Sequence, residues 1–125
     1  MSVAKWIVPV AAVEAAATGL VLLIVPFLFA RLILGAELSD AGLAMGRLTG
    51  IAMIGAGLAA WPTPASAQNV ATVRALLIYN LLATIYLGYL GLAGQLVGIL
   101  LWPAVALHAL LSILLGRTWF LTDRK

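Results

Sequence analysis

Glu14 and His108 are the two side chains of this chain that can exchange a proton within long apolar segments. A carboxylate buried in lipid costs several kcal/mol unless it is paired, hydrated or protonated, and such residues usually face a cavity or a partner. A Glu14–His108 contact would serve proton movement, ligand capture or cofactor support. The alternative is a hydrogen bond that only locks the helices together.

Other polar side chains accompany this pair at four-residue steps, a spacing that places them on one helix face. Helix association in lipid relies on close packing and hydrogen bonds, so polar residues mark the inward face of each helix. We therefore predict one polar layer that forms a ligand or proton site. Its candidate residues are Glu14, Thr18, Asn80, Thr84, His108 and Ser112.

Most other chemistry lacks the residues it needs. The chain has no cysteine and a single histidine, which excludes thiolate metal sites and disulfides. One His and one Glu are too few ligands for zinc, so we predict no metal site. His108 could bind a quinone oxygen or ligate haem, and the sequence does not decide which cofactor, if any, is bound. We predict no catalytic residue and favour a non-enzyme, because no activated nucleophile accompanies the acid–base pair.

The composition is that of a membrane protein. Of the 125 residues, 65% are hydrophobic and 9% charged, whereas a soluble domain has about 25% charged residues. The basic residues are scattered, which argues against nucleic-acid binding. The lipid bilayer is therefore the expected surrounding of this chain.

The hydropathy pattern predicts four helical spans, because about 20 apolar residues cross a bilayer. The predicted fold is all-α: an integral membrane antiparallel four-helix bundle, forming a single transmembrane domain over 1–125. Pro103 is expected to kink the fourth span, and 117–125 is expected to be a polar tail. The spans lie at about 6–30, 43–61, 73–92 and 96–116, with a proline-rich loop at 62–69.

The basic residues predict the orientation. Two of them, Arg31 and Arg47, fall on one side of the bilayer. The other five fall on the side that holds both termini: Lys5, Arg74, Arg117, Arg124 and Lys125. Both termini are therefore expected in the cytoplasm of a bacterial-type inner (plasma) membrane. In this topology Glu14 and His108 both lie about 12 Å deep.

Two further patterns concern packing. Gly42, Gly46, Gly50 and Gly57 are spaced for close helix packing in the second span. Tyr79 and Tyr86 are seven residues apart and could stack on a flat ligand, with core or lipid contact as the alternative.

The segment GRLTGIAMIGAGLAAWP at 46–62 resembles the second span of DoxX-like and related small four-helix membrane proteins. In those families an Arg-Leu-x-Gly start precedes a glycine-rich run. The resemblance implies a four-span bundle linked with membrane redox complexes, with sulfur metabolism or with no known activity, and it implies no set of catalytic residues.

The segment AAVEAAATG around Glu14 is similar to the first helix of the small multidrug resistance family, four-helix proton-coupled exporters with one essential glutamate there. That family's second helix has a proline followed by an Ala-Tyr-x-x-Trp run, which 43–61 lacks. The resemblance implies a transport role for Glu14.

Taken together, these patterns predict a small inner-membrane protein that is a membrane subunit or a lipophilic-ligand-binding protein, as a homo-oligomer or in a larger complex. A proton-coupled transporter working as a homodimer through Glu14 is the alternative. A purely structural role in a larger complex is a third possibility.

Overall fold

The computed structural model describes residues 4–63 and 69–124, and these residues form helices and no strand. Helix α1 spans Ala4–Ile24, α2 spans Pro26–Phe29, and a π-helical turn covers Ala30–Leu34. Helix α3 spans Asp40–Ala60, α4 spans Val70–Ala93, and α5 spans Leu101–Asp123. The four long helices, α1, α3, α4 and α5, are long and apolar enough to cross a bilayer.

Helix ends follow local chemistry. Ser39 caps α3, since its hydroxyl accepts a hydrogen bond from the Gly42 amide at 3.1 Å. Asn69 caps α4 in the same way through the Ala71 amide at 2.9 Å. Gly94 ends α4 with a φ of 76°, a left-handed conformation that glycine adopts without strain.

The first predicted span, 6–30, is interrupted. Val25 leaves the helical conformation, with φ −133° and ψ 60°, and Pro26 begins α2. Pro26 has no N–H to continue the hydrogen bonding of α1, which explains the break. The chain then returns through the π turn, whose Ile33 carbonyl accepts a hydrogen bond from the Gly98 amide at 2.9 Å.

The fourth helix lies later in the chain than the predicted span 96–116. Residues 94–100 form a connection, and α5 then continues through most of the predicted polar tail to Asp123. Pro103 therefore falls in the first turn of α5, where a missing N–H breaks no helical hydrogen bond, and the predicted kink is wrong. The predicted loop at 62–69 lies partly outside the described residues.

The helices pack as two pairs. Helix α1 packs along α3, and α4 packs along α5, while α1 joins the pairs through contacts with α5 and α4. A buried apolar cluster lies where α1, α4 and α5 meet: Ile7, Val8, Ala11, Val73, Leu76, Leu111 and Leu115. Within the described ranges α3 and α4 are not packed on each other, and a cleft lies between them.

Glycine allows the α1–α3 pair to approach closely. A methyl group at Gly50 would collide with the Gly19 carbonyl oxygen, and one at Gly57 would lie 2.7 Å from the Ala12 carbonyl oxygen. Gly46 faces Pro26. Gly42 instead contacts Leu38 and Ser39, just before α3, so it does not pack between two long helices. The glycine pattern is thus used mainly within the chain.

Candidate functional site

Three helices place polar side chains against one another inside the bundle. Glu14 comes from α1, Asn80 from α4 and His108 from α5. The His108 and Glu14 side chains are only 8% and 11% exposed, and Asn80 is fully buried. A buried polar group is costly unless it is hydrogen-bonded, so the partners of each atom decide what this layer can do.

Asn80 sets the proton arrangement of the imidazole. Its Nδ2 donates to the Leu76 carbonyl at 2.9 Å, a bond that turns Oδ1 towards His108. The distance from Oδ1 to the His108 Nδ1 is 2.8 Å. An amide oxygen only accepts, so Nδ1 must carry a hydrogen. The second ring nitrogen, Nε2, is therefore the one that is free to gain or lose a proton.

That second nitrogen faces the carboxyl group. His108 Nε2 lies 3.7 Å from Glu14 Oε1. With Nδ1 protonated, a neutral ring would present a lone pair to the carboxylate, and two acceptors facing each other in a low-dielectric interior repel. A hydrogen between the two atoms, on Nε2 or on Glu14, removes this repulsion.

Glu14 uses only one of its two oxygens. The Thr18 hydroxyl donates to Oε1 at 3.0 Å. Oε2 is buried and has no hydrogen-bond partner among the described residues. Leaving a buried acceptor without a donor costs about 1–3 kcal/mol.

Thr84 and Ser112 bond along their own helices. The Thr84 hydroxyl donates to the Asn80 carbonyl at 2.8 Å, and the Ser112 hydroxyl donates to the His108 carbonyl at 2.7 Å. Both lie one turn from the central contacts, and neither donates to a side chain of another helix. Of the six predicted site residues, the structure thus brings Glu14, Thr18, Asn80 and His108 into direct side-chain contact.

Tyr79 belongs to the same site, although it was not among the predicted site residues. Its ring meets the His108 ring edge-on, with centroids 5.7 Å apart at 86°. Tyr86 is 62% exposed and stacks on Tyr89 instead, with centroids 6.5 Å apart. The seven-residue spacing singled out both tyrosines, but only packing against α5 distinguishes Tyr79.

A cavity of about 570 Å³ occupies the cleft between α3 and α4. This volume falls in the range of small-molecule sites, about 300–1,000 Å³. Ala15 of α1, Leu76 and Tyr79 form the wall next to the polar layer. The remaining lining residues are Thr49, Ala52, Met53, Ala56, Ala59, Ala60, Ala71, Thr72 and Ala75.

Within residues 4–63 and 69–124, no three His, Cys, Asp or Glu side chains come together in a way that could hold a metal ion. Glu14 and His108 are side chains that can exchange a proton, and Thr18 and Asn80 bind them by hydrogen bonds.

No protein-family model, curated protein or solved structure matches this chain. The resemblances to DoxX-like proteins and to small multidrug exporters therefore stay predictions, and any function must be argued from the site itself.

Proposed function

We propose that this protein is a four-span membrane protein that binds a lipophilic small molecule in the cleft between α3 and α4. The observation that carries the proposal is the apolar cavity of about 570 Å³ whose wall, through Ala15 and Tyr79, adjoins the polar layer of Glu14 and His108. Ligand sites typically combine an apolar lining with a few convergent polar groups.

The membrane setting supports this proposal. The four long helices are apolar, and large side chains such as Leu82, Ile85 and Ile113 are half or more exposed. Such surfaces suit lipid and not water. We place the chain in a bacterial-type inner membrane as an antiparallel bundle with both termini in the cytoplasm, following the distribution of its basic residues. The cleft would then open sideways to the bilayer, from which a lipophile can enter.

The residues have distinct roles in this proposal. The alanines of α3 and α4 leave room for the apolar body of the ligand, and Tyr79 contacts its polar group. Asn80 orients His108, which in turn faces Glu14. The layer acts as the polar end of an otherwise apolar site.

Co-purification with the ligand tests the proposal. Protein extracted with its surrounding lipid would be analysed by mass spectrometry for lipophiles bound in stoichiometric amounts. Ala75→Leu should fill the cleft and lose the bound molecule, because Ala75 lines the cavity. Ala106→Leu is the matched control, since Ala106 is exposed on α5 and does not line the cavity. Equal amounts of every lipophile in the two variants would refute ligand binding in the cleft.

A proton-coupled transporter is the second candidate. It is favoured by the 3.7 Å distance between His108 Nε2 and Glu14 Oε1, two groups that can exchange a proton. In this mechanism two Glu14 residues of a homodimer would line a common pathway, and substrate would displace protons. Reconstituted in vesicles, the protein would then move substrate in response to a pH gradient, and Glu14→Gln would stop this movement. Unchanged pH-dependent transport by the Glu14→Gln variant would reject the transporter hypothesis.

A role as a subunit of a larger membrane complex is compatible with ligand binding. The stripe Gly46, Gly50 and Gly57 faces α1 and α2 of the same chain. A partner chain would therefore have to dock elsewhere, for example on the exposed face of α3. A stoichiometric partner in the same mass measurement would support that role.

A further inference from the structure

The polar groups that line the α3–α4 cleft are all hydroxyls. Of the twelve lining residues, nine have aliphatic side chains, and the other three are Thr49, Thr72 and Tyr79. No lining residue carries a charge. The chemistry of this lining restricts the class of molecule that the cleft can hold.

An ion in the cleft would have no counter-charge in the lining. Moving a charge from water into an apolar site is strongly opposed unless an opposite charge pairs with it. The nearest candidates are Glu14 and His108, but these two face each other at 3.7 Å within the polar layer, and neither lines the cleft. Arg74, near the beginning of α4, is exposed and is not part of the lining.

The three hydroxyls differ in what they can offer a ligand. Thr49 already donates to the Met45 carbonyl at 2.8 Å, so only its lone pairs are available. The Tyr79 hydroxyl hydrogen-bonds none of the described residues, and the Tyr79 ring lies edge-on against His108. Tyr79 is therefore a free donor on the wall of the cleft beside Glu14 and His108.

We infer that the cleft between α3 and α4 selects an uncharged lipophile carrying a hydroxyl or carbonyl oxygen, which accepts a hydrogen bond from Tyr79. This inference rests on the proposed binding function and specifies its ligand class.

Probes that share one chain and differ in their polar group test this inference. Labelled dodecanol, a methyl ketone of the same length, dodecane and dodecylamine would be dialysed against the protein in lipid nanodiscs, with empty nanodiscs as the blank. Dodecanol should bind roughly 2–10-fold more tightly than dodecane, the gain expected of one neutral hydrogen bond. Dodecylamine, which is charged at pH 7, should bind more weakly than dodecanol.

Tyr79→Phe is the decisive variant, because it keeps the ring against His108 and removes only the hydroxyl. It should abolish the preference for dodecanol and the ketone over dodecane. The ketone should bind as tightly as dodecanol, because Tyr79 would donate the hydrogen bond to either oxygen.

The outcomes separate this inference from the proposed function. If dodecylamine binds as tightly as dodecanol, or if Tyr79→Phe keeps the preference, the ligand class is wrong. The proposed function still stands in that case, provided that Ala75→Leu removes probe binding and Ala106→Leu does not. If no probe binds beyond the empty nanodiscs, both are overturned.

Discussion

His108 Nδ1 lies 2.8 Å from Asn80 Oδ1, and this contact between α5 and α4 leaves Nε2 as the ring nitrogen that faces Glu14. The orientation of Asn80 is itself set by its bond to the Leu76 carbonyl. The proton arrangement of the site therefore depends on an amide that need not contact a ligand.

Asn80→Ala should destabilise the bundle and release the imidazole. It removes the acceptor of a buried N–H, and we expect a loss of about 1–3 kcal/mol in the free energy of unfolding in mixed micelles. Nitrogen NMR of His108 should show that the ring no longer holds its hydrogen on Nδ1 alone. Thr84→Ala is the control, because its hydroxyl bonds only to its own helix, and it should cost roughly 0.5 kcal/mol or less. Equal losses of unfolding free energy in the two variants would contradict the role of Asn80 as the hydrogen-bond partner of His108.

Glu14→Gln should leave the hydrogen of His108 on Nδ1, because the contact that fixes this hydrogen is made by Asn80 and not by Glu14. Nitrogen NMR of His108 would compare the variant with the native protein. Loss of the Nδ1 hydrogen in the variant would show that Glu14, and not Asn80, sets the proton arrangement of the ring.

Gly50→Ala should weaken the α1–α3 pair. Its new methyl group would collide with the Gly19 carbonyl oxygen and lie 2.8 Å from the Leu23 amide nitrogen. Overpacking of this kind typically costs about 1–3 kcal/mol.

Gly55→Ala is the matched change in the same helix, with nothing within 4 Å of the added carbon. It should be neutral or should stabilise α3 by up to about 1 kcal/mol. Thermal unfolding in detergent would compare them, and a more stable Gly50→Ala protein would show that the close approach is not needed.

Pro103→Ala should have little effect. Pro103 is exposed and lies in the first turn of α5, where helical N–H groups have no partner in the helix. The expected change in stability is within roughly 0.5 kcal/mol. Ala109→Pro, in the middle of the same helix, should cost about 3 kcal/mol or more. A large loss of stability on Pro103→Ala would instead support a functional bend at Pro103 in this helix.

The amino-acid sequence by itself determined the class of the fold. Long, mostly apolar runs can satisfy their backbone groups in lipid only as helices, so four runs predict four helices without any knowledge of packing. It also singled out Glu14, because a carboxylate in such a run must find a partner. The four-residue steps correctly grouped polar side chains on helix faces, since the helical repeat is a local property.

The tertiary structure alone decided which faces meet. Whether Asn80 orients His108, and whether Tyr79 and not Tyr86 joins them, depends on the rotation of α4 against α5, which no local pattern encodes. The cleft likewise arises because α3 packs on α1 and not on α4. The sequence also placed the start of the fourth helix too early, because an apolar connection and an apolar helix have the same hydropathy. In the structure, residues 98 and 100 donate hydrogen bonds to the π turn, and α5 begins only at Leu101.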